Sequence, residues 1–365
     1  MILERLIQRT ITVQQIPAPT YHEQQRAEFM LAEFRQAGLK NAAIDSAGNL
    51  LGSLSSGKPA AVLICAHMDT VFPLSTDLSY MHSETALHGP GIGDNSVALA
   101  ALPELAEDLL EEDLPADIWF VGTVGEEGLG NLYGMRQLSA DFAHYAAAYL
   151  VLEGMALGTI YHRALPIQRY RLTCKTLGGH AWAHHDRFSA IHELIHLAKS
   201  ILKISLPHIP RTTMNIGIIN GGTSINSLAN EAFLELDLRS EEADQLDRIT
   251  RKIKGIVKSA ECAELSVELT SIGNRPGGSI PEKHALVELA RIAYEHQGIS
   301  PIHFQIGSTD ASIPLSKGIP AVCVGLTYGA NAHSDAEFIQ LEPLERGYAS
   351  ILELIRSTAH YVSHT

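Results

Sequence analysis

The sequence predicts an α/β protein, a mixed-sheet α/β/α domain with a smaller α+β unit inserted in it, and three observations carry that expectation. Apolar runs of strand length at residues 61–65, 117–124 and 146–152 are separated by helix-length segments, the grammar of a sheet covered by helices. From about Gln168 the order becomes strand (168–176), helix (189–203), strand (212–219), strand (232–238), helix (241–259) and strand (264–270), the split β-α-β-β-α-β arrangement of ferredoxin-like units. The chain then returns to βα grammar. With 365 residues, 45% of them hydrophobic, it is long enough for two cores. The expected division is a discontinuous domain, 1–164 with 275–365, and an insertion, 165–274.

Taken in order, Pro17 and Pro19 close the first segment, and Thr20-Tyr21-His22-Glu23 has the Ser/Thr-x-x-Glu pattern of a capping box before a helix that runs to Gly38. Strands follow at 49–53 and 60–65, the second ending in His67-Met68-Asp69. Gly89-Pro90-Gly91-Ile92-Gly93-Asp94-Asn95 leads into a helix from Ser96 toward Glu112, in which Pro103 predicts a kink or a restart. Strand 117–124 stops at Gly125-Glu126-Glu127-Gly128, and strand 146–152 stops at Glu153. After the insertion come a helix over 281–297, the turn Ile306-Gly307-Ser308-Thr309-Asp310, a strand over 321–326, His333 in a loop and a last helix from about Glu342.

A net charge of −14 argues against a surface that tracks phosphates, so nucleic acid is not an expected partner. Residues 1–16 carry Glu4, Arg5 and Arg9 and do not read as a secretory signal, and no apolar run is long enough to span a membrane. Cys65, Cys174, Cys262 and Cys323 are widely spaced and read as buried free thiols in a reducing, cytoplasmic setting. There is no internal repeat.

Three apolar strands and one glycine-rich helix start therefore each stop at His, Asp or Glu. His67, Asp94, Glu127, Glu153 and His333 are nitrogen and oxygen donors of the kind that bind zinc. Five are too many for one tetrahedral ion and suit two ions sharing a carboxylate, with Asp94 as the bridge. Asp69 is placed to accept the second imidazole proton of His67, and Glu126 is free to act as general base beside a water whose pKa two metals lower to about 7. A rival pattern, His192-Glu193-Leu194-Ile195-His196, fits the helical zinc motif His-Glu-x-x-His. Its His residues fall on the polar face of their helix, and Lys199 and Leu202 stand where a third ligand would be sought. No Gly-x-Ser-x-Gly elbow is present, and Gly91-x-Gly93 lacks the third glycine of a dinucleotide loop.

The order His67-x-Asp69, Gly93-Asp94-Asn95, Glu126-Glu127, Glu153 and His333 resembles the M20 family of di-zinc metallopeptidases. Gly178-Gly179-His180-Ala181, Gly221-Gly222-Thr223-x-x-Asn226 and Asp237-x-Arg239 resemble its inserted lid domain. The resemblance implies a zinc-hydrolase catalytic domain in which His67 and Glu153 hold one Zn2+, Glu127 and His333 the other, Asp94 bridges and Glu126 is the base. It also implies that the insertion is a lid and dimerisation domain, that His180 serves the partner subunit's site, that Asn226, Arg239 and Arg275 bind a substrate carboxylate, and that the backbone at Gly307 meets the substrate. The chain departs from the family pattern at Trp182-Ala183-His184-His185, and His184 and His185 read as a solvated loop. The expected protein is a cytoplasmic homodimeric amide hydrolase, an exopeptidase of small peptides similar to the peptidase T-like and carboxypeptidase G2-like branches, with Co2+ or Mn2+ as alternative metals. A deacylase or desuccinylase of N-acyl amino acids, and a metal-dependent binding protein without turnover, are the competing readings.

Overall fold

Ala61–His67 is buried at every position, and a strand covered on both faces has no reason to alternate apolar with polar residues. The structure, a computed structural model, describes residues 2–55 and 57–364. The chain divides into two compact units, Met1–Ala164 with Gly278–Thr365, and Leu165–Gly277. In the first, nine strands among the described residues make a mixed sheet. From one edge the order is Lys40–Ile44, Leu50–Ser53, Asp117–Thr123, Ala61–His67, Ala146–Glu153, Ala321–Gly325, Thr159–Ala164 and Gly278–Ser279, with His303–Gly307 also paired to Thr159–Ala164. The four strands from Asp117–Thr123 to Ala321–Gly325 run parallel. Their carboxyl ends share one edge, where open α/β sheets carry their sites.

Helices cover this sheet. Val97–Leu109 is buried almost all round and passes through Pro103 as one helix, so the expected restart does not occur; burial of the apolar residues on either side outweighs the single hydrogen bond a proline removes. Ile2–Gln14 lies against it. There the Glu104 carboxylate, with no solvent exposure, receives the guanidiniums of both Arg5 and Arg9, which a buried charge requires. A small sheet, ordered Gly329–Ala330, Phe338–Gln340, Ala86–His88, Met81–His82, presents the loop that carries His333 between its first two strands.

The second unit has its own core. Its elements run Ile167–Lys175, Ala190–Leu202, Thr212–Gly221, Glu231–Ser240, Ala243–Ala260 and Ser266–Arg275. The four strands form an antiparallel sheet ordered Thr212–Gly221, Glu231–Ser240, Ile167–Lys175, Ser266–Arg275. The unit reaches Gly277 rather than Asn274 because Arg275 still pairs with Ile167.

Two local expectations are corrected. Cys65, Cys174 and Cys323 are buried free thiols, but Cys262 is exposed, in the tight turn closed by its own pairing with Leu265. Thr20 and Glu23 do not form a capping box. The helix Gln24–Gln36 starts without a side-chain cap bond, because both side chains are engaged elsewhere, as described next.

Candidate metal centre

Each strand end delivers its residue by a distinct local device. His67 is the last residue of Ala61–His67 and is buried. Its Nδ1 lies 2.9 Å from the carbonyl oxygen of Asp69 and 3.6 Å from that residue's Oδ1. A carbonyl only accepts, so Nδ1 carries a proton, and Nε2 is the nitrogen left to face a cation once it gives up its own. Asp94 stands at the glycine-rich helix start, and Glu337, buried and unheralded in the sequence, fixes that loop. Its Oε1 accepts from the N–H groups of Gly93 at 2.7 Å and Asp94 at 2.8 Å, and its Oε2 from Gly91 at 3.0 Å. Burial pushes the Glu337 carboxyl up to about 7. Asn95 brackets Glu153, donating to Leu152 O at 2.8 Å and accepting from Gly154 N at 3.0 Å. Gly93 and Gly154 touch so closely that a Cβ on Gly154 would stand 2.1 Å from Gly93 O, which confines the contact to glycine.

Glu126 and Glu127 leave the strand Asp117–Thr123 on a turn held by other acids. Asp69 Oδ1 accepts from Glu126 N and Asp69 Oδ2 from Glu127 N, both at 2.9 Å, and Thr20 Oγ1 donates to Asp69 Oδ2 at 2.8 Å. Glu23 Oε1 accepts from Gly125 N at 3.0 Å. The carboxylate of Asp69 is thus engaged chiefly by the turn: the carbonyl of Asp69 takes the short bond to the imidazole, and Oδ1 stands beside it as an ion-pair partner at 3.6 Å. His333 comes from its loop at φ 65.

These devices bring the five candidate ligands together. His67 Nε2 lies 3.0 Å from Asp94 Oδ1 and 3.8 Å from Glu153 Oε2. His333 Nε2 lies 3.0 Å from Asp94 Oδ2 and 3.1 Å from Glu127 Oε1. Ligand atoms of His67, Asp94 and Glu127 all fall within 4.8 Å of one another. Two donors about 2.1 Å from one tetrahedral ion are roughly 3.4 Å apart, so the separations fit donors converging on cations. The charges agree. Hydrogen bonds that the His333 imidazole donates to Asp94 and Glu127 push it up to about 10. Burial works against charge on His67, yet Asp69, Asp94 and Glu153 together hold it well above its ordinary value. Burial, and then the neighbouring acids Asp94, Glu126 and Asp310, push Glu153 well up. Such a crowd of carboxylates calls for positive charge in its midst.

The other residues singled out lie elsewhere. His192 and His196 are exposed on Ala190–Leu202, and the three-donor cluster found among the described residues includes neither. His180, Asn226, Arg239 and Arg275 belong to the second unit, and Gly307 ends the strand His303–Gly307 of the first. Arg239 Nε donates to Asp237 Oδ1 at 2.7 Å, while Arg169 Nε donates to Asp237 Oδ2 at 2.9 Å. The Ala181 N–H donates to Asn226 O at 2.9 Å, and Gly179–His180 pairs with Ser227–Leu228, which binds the His180 and Asn226 loops together. His184 is not simply solvated: its Nδ1 accepts the N–H of His180 at 3.0 Å. Thr20, Glu23 and Asn95 stood in sequence patterns without a supporting role at the site being read from them, and for Glu337 no local pattern existed to find it.

The sequence signature described as Peptidase family M20/M25/M40 matches residues 63–357. YqjE of Bacillus subtilis (strain 168), an uncharacterized protein, is 25% identical over 378 residues, which cover 98% of this chain and 99% of that one. The acetylornithine deacetylase of Proteus mirabilis (strain HI4320) is 26% identical over 324 residues, 81% and 79% of the two chains. The crystal structure of aminopeptidase PepT from Bacillus cereus ATCC 10987 superposes with a TM-score of 0.77 at 25% identity, over 98% of this chain and 99% of that one.

Proposed function

The chain belongs to peptidase family M20/M25/M40 and is a hydrolytic enzyme, and from that premise we propose a di-zinc exopeptidase that hydrolyses an amide bond of small peptides. The observation that carries this reading is the division of Asp94, one oxygen beside His67 and the other beside His333. His67 and Glu153 would hold one ion, Glu127 and His333 the second, and Asp94 both. When bound, the ions supply Lewis acidity and make water nucleophilic near neutral pH. Glu126 takes the proton from the attacking water and passes it to the leaving amine, so one acid serves both halves of the reaction. Asp69 keeps the Nε2 of His67 turned toward Asp94 through its carbonyl and holds the backbone of Glu126 through its carboxylate. The donor set, free of thiolate, also suits Co2+ or Mn2+.

In this reading Arg275, Asn226 and Arg239 take the substrate carboxylate, the backbone at Gly307 meets the substrate, and His180 stabilises the tetrahedral intermediate in the partner subunit's site. A homodimer through the inserted domain is supported by an uncovered sheet edge. Thr212–Gly221 is an outer strand with Ile218 and Ile219 exposed, and Ile195 on Ala190–Leu202 is exposed as well; native sheets seldom leave such an edge bare. A cytoplasmic setting agrees with the buried thiols, and no helix among the described residues is long and apolar enough to cross a membrane.

The likeness to acetylornithine deacetylase favours a second reading, deacylation or desuccinylation of N-acyl amino acids. A panel of dialanine, trialanine, N-acetylalanine and N-succinylalanine, assayed with zinc-replete protein, separates the two. Turnover confined to peptides with a free amino terminus supports the peptidase; turnover confined to the acylated amino acids selects the deacylase in its place. Metal binding without turnover of either class would leave the binding-protein reading.

A further inference from the structure

We propose that Thr20 and Glu23 are positioning residues for Glu126, fixing from outside the sheet the turn on which that carboxylate is carried. The inference rests on the reading of Glu126 as base. Three consecutive backbone N–H groups enter this turn, those of Gly125, Glu126 and Glu127, and each donates to a buried carboxylate, the first to Glu23 and the other two to Asp69. Glu23 Oε1 also accepts the N–H of Tyr21 at 3.0 Å, so the short segment before the helix is tied to the same oxygen as the turn. Thr20 closes the arrangement by donating to the Asp69 oxygen that holds Glu127 N.

The sequence of this segment is that of a helix cap, yet no side-chain cap bond forms. Its polar groups serve the turn instead. Gly125, at φ 65, is the residue about which the turn leaves its strand; the bond to Glu23 fixes the Val124–Gly125 peptide on the strand side of it, and Asp69 fixes the Gly125–Glu126 peptide that follows. Asp69 alone holds the N–H of Glu127, whose side chain faces His333. Loss of Glu23 therefore reaches Glu126 before it reaches the metal ligands, and an error of about 1 Å in a reacting group costs up to roughly 100-fold in rate.

The test uses the zinc-replete full chain and trialanine, or N-acetylalanine should the chain prove a deacylase. Turnover, KM and bound zinc are measured for Glu23→Ala, Glu23→Gln, Thr20→Val and Thr20→Ser. Glu23→Ala is expected to lower kcat about 10- to 100-fold with KM within about 3-fold and zinc retained. Glu23→Gln keeps an acceptor oxygen and should return kcat to within about 5-fold of wild type. Unchanged kcat in Glu23→Ala, loss of kcat only in step with zinc, or a Glu23→Gln as impaired as Glu23→Ala would overturn the proposal. If Glu23→Ala does not fold, Thr20→Val carries the test: a fall in kcat restored by Thr20→Ser supports the role, and wild-type kcat refutes it. A Glu126→Gln enzyme that still turns over would sink the base assignment; an inactive Glu126→Gln beside a fully active Glu23→Ala would sink this inference alone.

Discussion

Glu337 accepts the backbone N–H of Asp94 at 2.8 Å although 243 residues separate them in sequence. One buried side chain, bonded also to Gly91 and Gly93, thereby sets the position of the carboxylate that lies between His67 and His333. Groups that orient ligands in this way are worth about 10- to 100-fold in metal affinity. Glu337→Ala should weaken zinc binding by that factor in a calorimetric titration, and an unchanged affinity would mean that the loop holds its shape without Glu337.

Glu126→Gln removes the proposed proton carrier and leaves every candidate ligand in place. Turnover should fall about 100- to 10,000-fold, with the zinc content of wild type.

Asp69 offers a discriminating case, because its carbonyl faces His67 while its carboxylate faces the turn. Asp69→Ala keeps the carbonyl and strips the acceptor from two buried N–H groups and from Thr20. Each buried group left unsatisfied costs about 1–3 kcal/mol. Thermal stability and kcat should both fall, and zinc affinity should change less than kcat. A variant that loses zinc affinity as steeply as kcat would return Asp69 to the role of imidazole orienter.

Much of this site was legible because buried parallel strands read as uninterrupted apolar runs, so that His67, Glu127 and Glu153 stood out where each run stopped. His333 was harder: it sits on a loop at φ 65, with no periodic element to point to it. Glu337 was invisible, since its partners are backbone N–H groups brought near only by the fold. Thr20 and Glu23 misled, because a capping motif and a strut for a distant turn use the same residue types. In Asp69 the residue was evident but the atom was not; the carboxylate chose two N–H groups and left the short bond to the imidazole to the carbonyl.

The inserted unit should report its own acid response through Asp237. Burial disfavours its charge, but the hydrogen bonds and charges of Arg239 and Arg169 outweigh that and hold the carboxyl below its ordinary value. A depressed folded-state pKa gives stability that is present above the unfolded value of about 3.9 and lost as pH falls through the folded one. Asp237→Asn should therefore lower stability at pH 7 and flatten its decline below about pH 4 in urea unfolding followed across that range. A variant with the wild-type acid profile would show that the two arginines contribute nothing there.

The division of Asp94 between His67 and His333 makes the central claim countable. Metal content by plasma mass spectrometry, on wild type, Asp94→Ala and His333→Ala after dialysis against buffered zinc, tests it directly. Two zinc ions per wild-type chain, one in His333→Ala and neither held tightly in Asp94→Ala are the expected results. A single ion in the active wild type, or two ions retained by Asp94→Ala, would contradict a shared carboxylate.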